Sequence, residues 1–129
     1  MSPDGPIVFI SRSRIRPGRL HGLCSFLAAG APMIEAAKPQ TLGFLPYVDE
    51  ASMTLTIVHV FADAAGFTAH VVGADERSDA AAEFVETAAI QIFGAPEEAT
   101  VEAIRSGLPA GVPVEVRGTS VAAFLRPGR

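Results

Sequence analysis

Three histidines, one tyrosine, one cysteine and a group of arginines are the residues of this 129-residue sequence best suited to chemistry. His59 lies in the apolar stretch Thr54–Phe61, and His70 follows in the segment after it. Imidazole changes charge near neutral pH and can accept or donate a proton there, so His70 and His59 are the candidate catalytic residues. Each also has a plainer role: His70 as a histidine packed at a helix edge with one hydrogen bond, His59 as a satisfied core or interface histidine. For such residues the plainer role is the commoner. His21 stands beside Gly22 and is expected at the surface. No His-x-x-x-His or Glu-x-x-His pairing supports these residues, so no metal site is expected. Tyr47 could offer its hydroxyl to a pocket, although a tyrosine at a strand end usually packs. Arg12, Arg14, Arg16 and Arg19 make a local basic cluster able to hold an anionic substrate, although a solvated rim or inter-subunit ion pairs are commoner. Arg12 is the substrate-binding candidate among them, because it shares a strand face with Val8 and Ile10. Cys24 reads as a small core residue. There is no Gly-rich phosphate loop, no Gly-x-Ser-x-Gly and no nucleophile–base pair at a diagnostic spacing.

These side chains must be carried by a small set of elements. Thr54, Thr56, Val58 and Val60 alternate with Leu55, Ile57, His59 and Phe61, and neither face is clearly polar. Such a strand is normally covered on both sides. Asp63 then stands at an N-cap position, and Phe67, His70, Val71 and Ala74 share one helical face before Gly73 ends the segment. Phe67 thereby becomes a substrate-binding candidate beside His70. Upstream, Pro6–Ile15 alternates as a strand, and Pro17 is placed to open a helix over Arg19 to about Ala37. Leu20, Leu23, Cys24, Leu27, Ala31 and Ile34 form its apolar stripe, with a break expected at Pro32. Thr41–Val48 is a second strand; Pro46 places it at an edge or a bulge. The turn 49–52 makes it the antiparallel partner of the strand that follows.

Beyond Gly73 the pattern is ambiguous. Ala81, Phe84, Val85 and Ala88 fit a helix, while Ile90–Phe93 either extends it or forms a short strand, the strand being preferred. Pro96, Glu97 and Glu98 open a further helix that Arg105 and Gly107 close. Val114–Arg126 is strand-like, with an interruption at Gly118. The order is β-α-β-β-α, an insertion and a final strand: an α+β, ferredoxin-like antiparallel sheet with helices on one face and the other face in need of a cover.

Composition limits the rest. A chain of this length is expected to form one domain, residues 1–129, with a real core. Hydrophobic residues make up 49% and charged residues 19%, on the apolar side for a monomer, and the net charge of −4 speaks against a nucleic-acid partner. A single cysteine excludes an internal disulfide. No signal-peptide pattern and no run of about twenty apolar residues is seen, so a cytoplasmic protein with no membrane partner is expected.

Taken in order, the residues resemble a known family. A strand ending in Arg16-Pro17-Gly18, a long helix, a hairpin reading Thr41-Leu42-Gly43-Phe44 to Tyr47-Val48-Asp49-Glu50, and then Val58-His59-Val60-Phe61-Ala62-Asp63-Ala64 with Phe67 and His70 look like the antibiotic biosynthesis monooxygenase superfamily, over roughly Ile7 to Val71. The resemblance implies a dimeric α+β barrel in which two sheets pack face to face, so that a second copy covers the open face. Members include cofactor-independent oxygenases of aromatic polyketides and quinols, haem-degrading enzymes, isomerases and proteins without assigned activity. Oxygenases and haem degraders of the family commonly use tryptophan, asparagine and histidine together; this sequence has neither tryptophan nor asparagine. Haem degradation on that pattern is therefore not implied, and an oxygenase would need other residues. The stretch from Asp75 to Gly111 adds at least one helix to the family's pattern. Two expectations result. One is a cofactor-independent monooxygenase, a homodimer acting on an aromatic or polyketide-like small molecule. The other is a non-catalytic dimeric domain that binds a small apolar ligand or serves a pathway complex.

Overall fold

The computed structural model describes residues 5–126. Its elements are β1 (Ile7–Ile15), α1 (Leu20–Ala37), β2 (Thr41–Asp49), β3 (Thr54–Phe61), α2 (Ala64–Val71), α3 (Ala74–Ala81), β4 (Val85–Phe93), α4 (Glu98–Gly107) and β5 (Val114–Arg117). The strands form one sheet in the order β2-β3-β1-β4-β5. The first four are antiparallel in the ferredoxin-like order, and β5 joins β4 in parallel through α4. The sheet is therefore mixed, because a helix crossover returns the chain in the direction it left. Pro46 falls on β2, an edge strand as expected, where its missing N–H is tolerated.

Three expectations are corrected. Residues 85–93 are one continuous strand, so Val85 and Ala88 are not helical; the helix before it stops at Ala81. Strand pairing with the whole of β1 outweighs the local helical pattern, at the cost of one irregularity beside Ala88. The final strand ends at Arg117 rather than Arg126, with Gly118 at φ +80 where it stops. And α1 starts at Leu20 and runs unbroken through Pro32. Pro32 and Ala28 are both exposed, so water can reach the carbonyl the proline leaves unpaired.

Strand alternation sorts the sheet into two faces. Ile7, Phe9, Ser11, Ser13 and Ile15 of β1 and Leu55, Ile57, His59 and Phe61 of β3 point to the helices. Packing there divides into two clusters. Ile7, Phe61, Phe67, Ile90, Ile92 and Val101 form one; Ile15, Leu23, Leu55 and Val85 form the other. All four helices thus lie on one side. Val8, Ile10, Val58, Val60, Leu45 and Tyr47 lie on the opposite face, which no helix covers. On α1 the inward stripe is Leu20, Leu23, Phe26, Leu27 and Ile34, while Cys24 is exposed and not a core residue. With a mean hydropathy of 1.2 over 18 residues, α1 is the one helix among the described residues long and apolar enough to cross a membrane by length and composition. It is at the short end for a span, and its apolar stripe faces the sheet.

Gly94 ends β4 at φ +114, and a Cβ there would lie 2.8 Å from the Pro6 carbonyl oxygen and 3.0 Å from Ile7 Cδ1. Both the dihedral and the space demand glycine. Gly94→Ala is expected to cost at least about 1–3 kcal/mol of stability, read as a lowered midpoint in urea unfolding; an unchanged midpoint would show that the Pro6–Ile7 backbone yields freely.

Candidate functional site

Between the two packing clusters α1 stands off the sheet, and a cavity of about 1140 Å³ opens there. Its floor is set by strand register. Phe44, His59, Phe9 and Ile92 lie in one row across the sheet; Ile57, Ser11 and Ile90 lie in the next. Ser13 and Thr87 lie in the row beyond. Leu23, Phe26, Leu27 and Ile34 of α1 form the roof, and α3 and α4 close the sides. The walls are mainly apolar, and Arg14, Arg16, Glu76, Asp79 and Glu86 stand at the rim.

Two histidines converge on this space. His59 comes from β3 and His70 from α2, and their rings meet edge to face with centroids 4.8 Å apart. Both are buried, at 6% and 5% exposure. Helix α2 holds His70 in place because both its ends are satisfied. Asp63 Oδ1 accepts from Gly66 N at 2.8 Å, the N-cap expected from the sequence. At the other end Lys38 Nζ donates to the carbonyls of Ala69 and Val72, and Arg77 Nη2 donates to that of His70. These cations meet the negative end of the helix dipole. Phe67, wholly buried, packs its ring against Phe9 and Phe61, each 5.3 Å away between centroids, and fixes α2 to the sheet.

Each histidine uses Nδ1 for one hydrogen bond. His59 Nδ1 donates to the Phe9 carbonyl at 3.3 Å, which assigns the Nδ1–H tautomer and leaves Nε2 as an acceptor. His70 Nδ1 bonds Thr41 Oγ1 at 2.7 Å. No buried side-chain polar atom among the described residues lacks a partner. The second nitrogen of each ring has no hydrogen-bond partner among the described residues and so is not fully buried, and both residues line the cavity. Burial pushes His59 down to about 4, opposed by its bond to Phe9 and assisted by the charge of Arg77. His70 falls to about 3, by burial first and then by His59, Arg77 and Lys38. Both rings are neutral at pH 7 and serve as hydrogen-bonding groups in a space biased against further positive charge.

The other candidates lie elsewhere. Arg12 is exposed on the uncovered sheet face, where Nη1 donates to Gln91 Oε1 at 2.7 Å. Tyr47 is on that same face, opposite Thr56 and 60% exposed. Phe67 is beneath the cavity, not in its lining. The structure thus brings His59 and His70 together and leaves Arg12, Tyr47 and Phe67 apart from them. It adds residues that the sequence reading left out. Ser11, Ser13 and Thr87 present hydroxyl-bearing side chains along the floor, and Arg77 lines the side. The signal for the serines was there: they occupy the inward register of β1 behind Ile7 and Phe9, where a simple core strand would be apolar. No group of three or more His, Cys, Asp or Glu among the described residues is arranged to hold a metal ion.

No family model matches the sequence, and no curated protein does. Solved structures do match in fold. MupZ from Pseudomonas fluorescens superposes with a TM-score of 0.69 at 15% identity, over 96% of this chain and 97% of its own. A protein provisionally described as an antibiotic biosynthesis monooxygenase, from Chloroflexus aurantiacus J-10-fl, gives 0.54 at 15% identity, over 68% of this chain and 90% of its own. Rv0793 from Mycobacterium tuberculosis gives 0.57 at 17% identity, over 74% and 99%. The fold is thus that of the antibiotic biosynthesis monooxygenase-like proteins. The Chloroflexus match covers about the share that β1–β4 occupies here, whereas MupZ matches nearly the whole chain, a length that includes α4 and β5.

Proposed function

We propose that this protein, built on an antibiotic biosynthesis monooxygenase-like fold, binds an aromatic or polyketide-like small molecule in the helix-side cavity and acts on it as a cofactor-independent monooxygenase. The observation that carries the reading is an apolar cavity of about 1140 Å³ lined by two neutral histidines that are buried among aromatic rings, each with one ring nitrogen unpartnered among the described residues. In this reading His59 Nε2 accepts the proton of an activated CH₂ or phenolic OH, and the resulting imidazolium pairs with the carbanion or phenolate formed. Molecular oxygen then oxidises that anion. For a CH₂ group the balance is CH₂ + O₂ → C=O + H₂O, with the proton returned from His59 to the departing oxygen. His70 orients the ligand by a hydrogen bond. The low pKa of both rings limits how weak an acid they can deprotonate, so the substrate must itself be acidic at carbon or oxygen.

The second reading is a non-catalytic domain that binds a small ligand or serves a pathway complex. It is favoured by the same depressed histidines and by the absence of tryptophan and asparagine. In both readings the protein is a cytoplasmic homodimer of single-domain chains. The partner covers the face that carries Val8, Ile10, Val58 and Val60, and neither nucleic acid, membrane, metal nor cofactor takes part.

Oxygen uptake with an anthrone as probe, together with binding measured by fluorescence quenching, tests the catalytic reading. His70→Ala is expected to bind the anthrone within a few fold of the parent and to lose at least tenfold in oxygen uptake. Binding without uptake by the parent protein would leave the non-catalytic reading. A monomer in sedimentation at micromolar concentration would remove the homodimer.

A further inference from the structure

The inward face of α3 is Ala74, Arg77 and Ala81, one arginine between two alanines at helical spacing. Arg77 is half-buried and lines the cavity beside His70. Its one hydrogen bond among the described residues runs from Nη2 to the His70 carbonyl. A guanidinium has five N–H donors, so most of its capacity is unspent. The other arginines that line the cavity, Arg14 and Arg16, are both paired with Glu86. Arg77 forms no ion pair among the described residues. Glu76 and Asp79 are on the exposed side of α3, and Glu86 is already taken by two arginines. Among the described residues the cavity therefore holds one half-buried cation with most of its planar fork unspent and two neutral histidines, and the acids that line it, Glu76, Asp79 and Glu86, are all exposed. An unpaired charge removed from water is costly until an opposite charge meets it.

We propose that the cavity takes a small organic acid, with its carboxylate on the Arg77 guanidinium and its apolar body between the sheet and α1. The inference rests on the cavity being a ligand site, and adds the charge of the ligand and the group that reads it. Arginine suits this because its fork matches a carboxylate through two parallel hydrogen bonds. The positive charges of Arg77 and Lys38 also act on His70, so the same anion would relieve the field that both cations set up there. The plainer role for Arg77 is to satisfy the end of α2 and nothing else.

Calorimetric titration at pH 8 with 2-naphthoate and with 2-naphthamide separates these. The two probes share a ring system and differ in charge. The expected result is naphthoate binding at least tenfold more tightly than naphthamide, with the difference abolished in Arg77→Gln. Equal binding of both probes to the parent protein overturns the proposal while the cavity reading stands. Binding of neither overturns both. A naphthoate preference that survives Arg77→Gln overturns it as well, since another charge would then read the acid. If Arg77→Gln does not fold, Arg77→Lys decides. It keeps the charge and the contact with α2 but loses the fork, so naphthoate affinity must fall several fold while naphthamide affinity holds. Unchanged naphthoate affinity in that variant would sink the proposal.

Discussion

Truncation of Phe67 to alanine is expected to lower the folding free energy by about 3–5 kcal/mol, the range for a fully buried phenylalanine. Its ring has no exposed surface and touches Phe9 of β1 and Phe61 of β3, so it is the bolt between α2 and the centre of the sheet. Eight residues make a helix too short to persist alone. The caps at Asp63, Lys38 and Arg77 satisfy its ends but bury little apolar surface. Loss of the ring should therefore loosen α2 as a unit, and His70 with it. Phe67→Leu, which keeps most of the volume, should cost much less. Urea unfolding of the two variants measures both losses. A cost below about 1 kcal/mol for the alanine variant would mean that the neighbouring cavity lets the site collapse around the gap.

The second large effect is loss of stability in mild acid. In the unfolded chain His59 and His70 titrate near 6.5; in the folded protein they stay neutral down to about 4 and about 3. Through that window the unfolded state binds more protons than the native one, so stability rises with pH. The contribution is full above about pH 6.5, declines as the pH falls, and is gone below the folded values. One pKa unit corresponds to about 1.4 kcal/mol, so by pH 5 each histidine removes up to about 2 kcal/mol from the folded state. Together these are a large part of the stability of an ordinary small domain. Unfolding free energies measured from pH 8 to pH 5 should show the fall, and His59→Gln should remove about half of it. A flat profile would mean that the rings are better solvated than their burial implies.

Much of the scaffold could be read from local pattern. Alternation in Ile7–Ile15 and Thr54–Phe61, the N-cap at Asp63 and the proline of an edge strand are each decided within a few residues, and each stands in the structure as expected. What depends on distant partners could not be read so. Val85–Phe93 is a strand because β1 lies beside it, and alanine-rich sequence is equally at home in a helix. Cys24 fits the apolar stripe of α1 by spacing, but that helix stands away from the sheet and buries a narrower face than spacing alone implies. The same holds for the site. Histidines in apolar surroundings announced themselves, whereas Arg77 looked like one more polar residue in a charged stretch until α3 was placed against the cavity.

The two margins of the sheet bear on how the protein avoids fibrous self-association. An open strand edge is a template on which another chain can continue the ladder. Here β2 carries Pro46 and an irregular register beside Leu42, which leave gaps in the donors it could offer. At the other margin β5 is only four residues long; Glu115 and Arg117 are joined to each other along it, and Gly118 turns the chain away. Without α4 and β5 the margin would be β4, nine residues long and rich in β-branched and small side chains. The added unit thus replaces a long adhesive border with a short charged one. Removal of β5 should then show first in solubility on storage, as growth of thioflavin-positive aggregate.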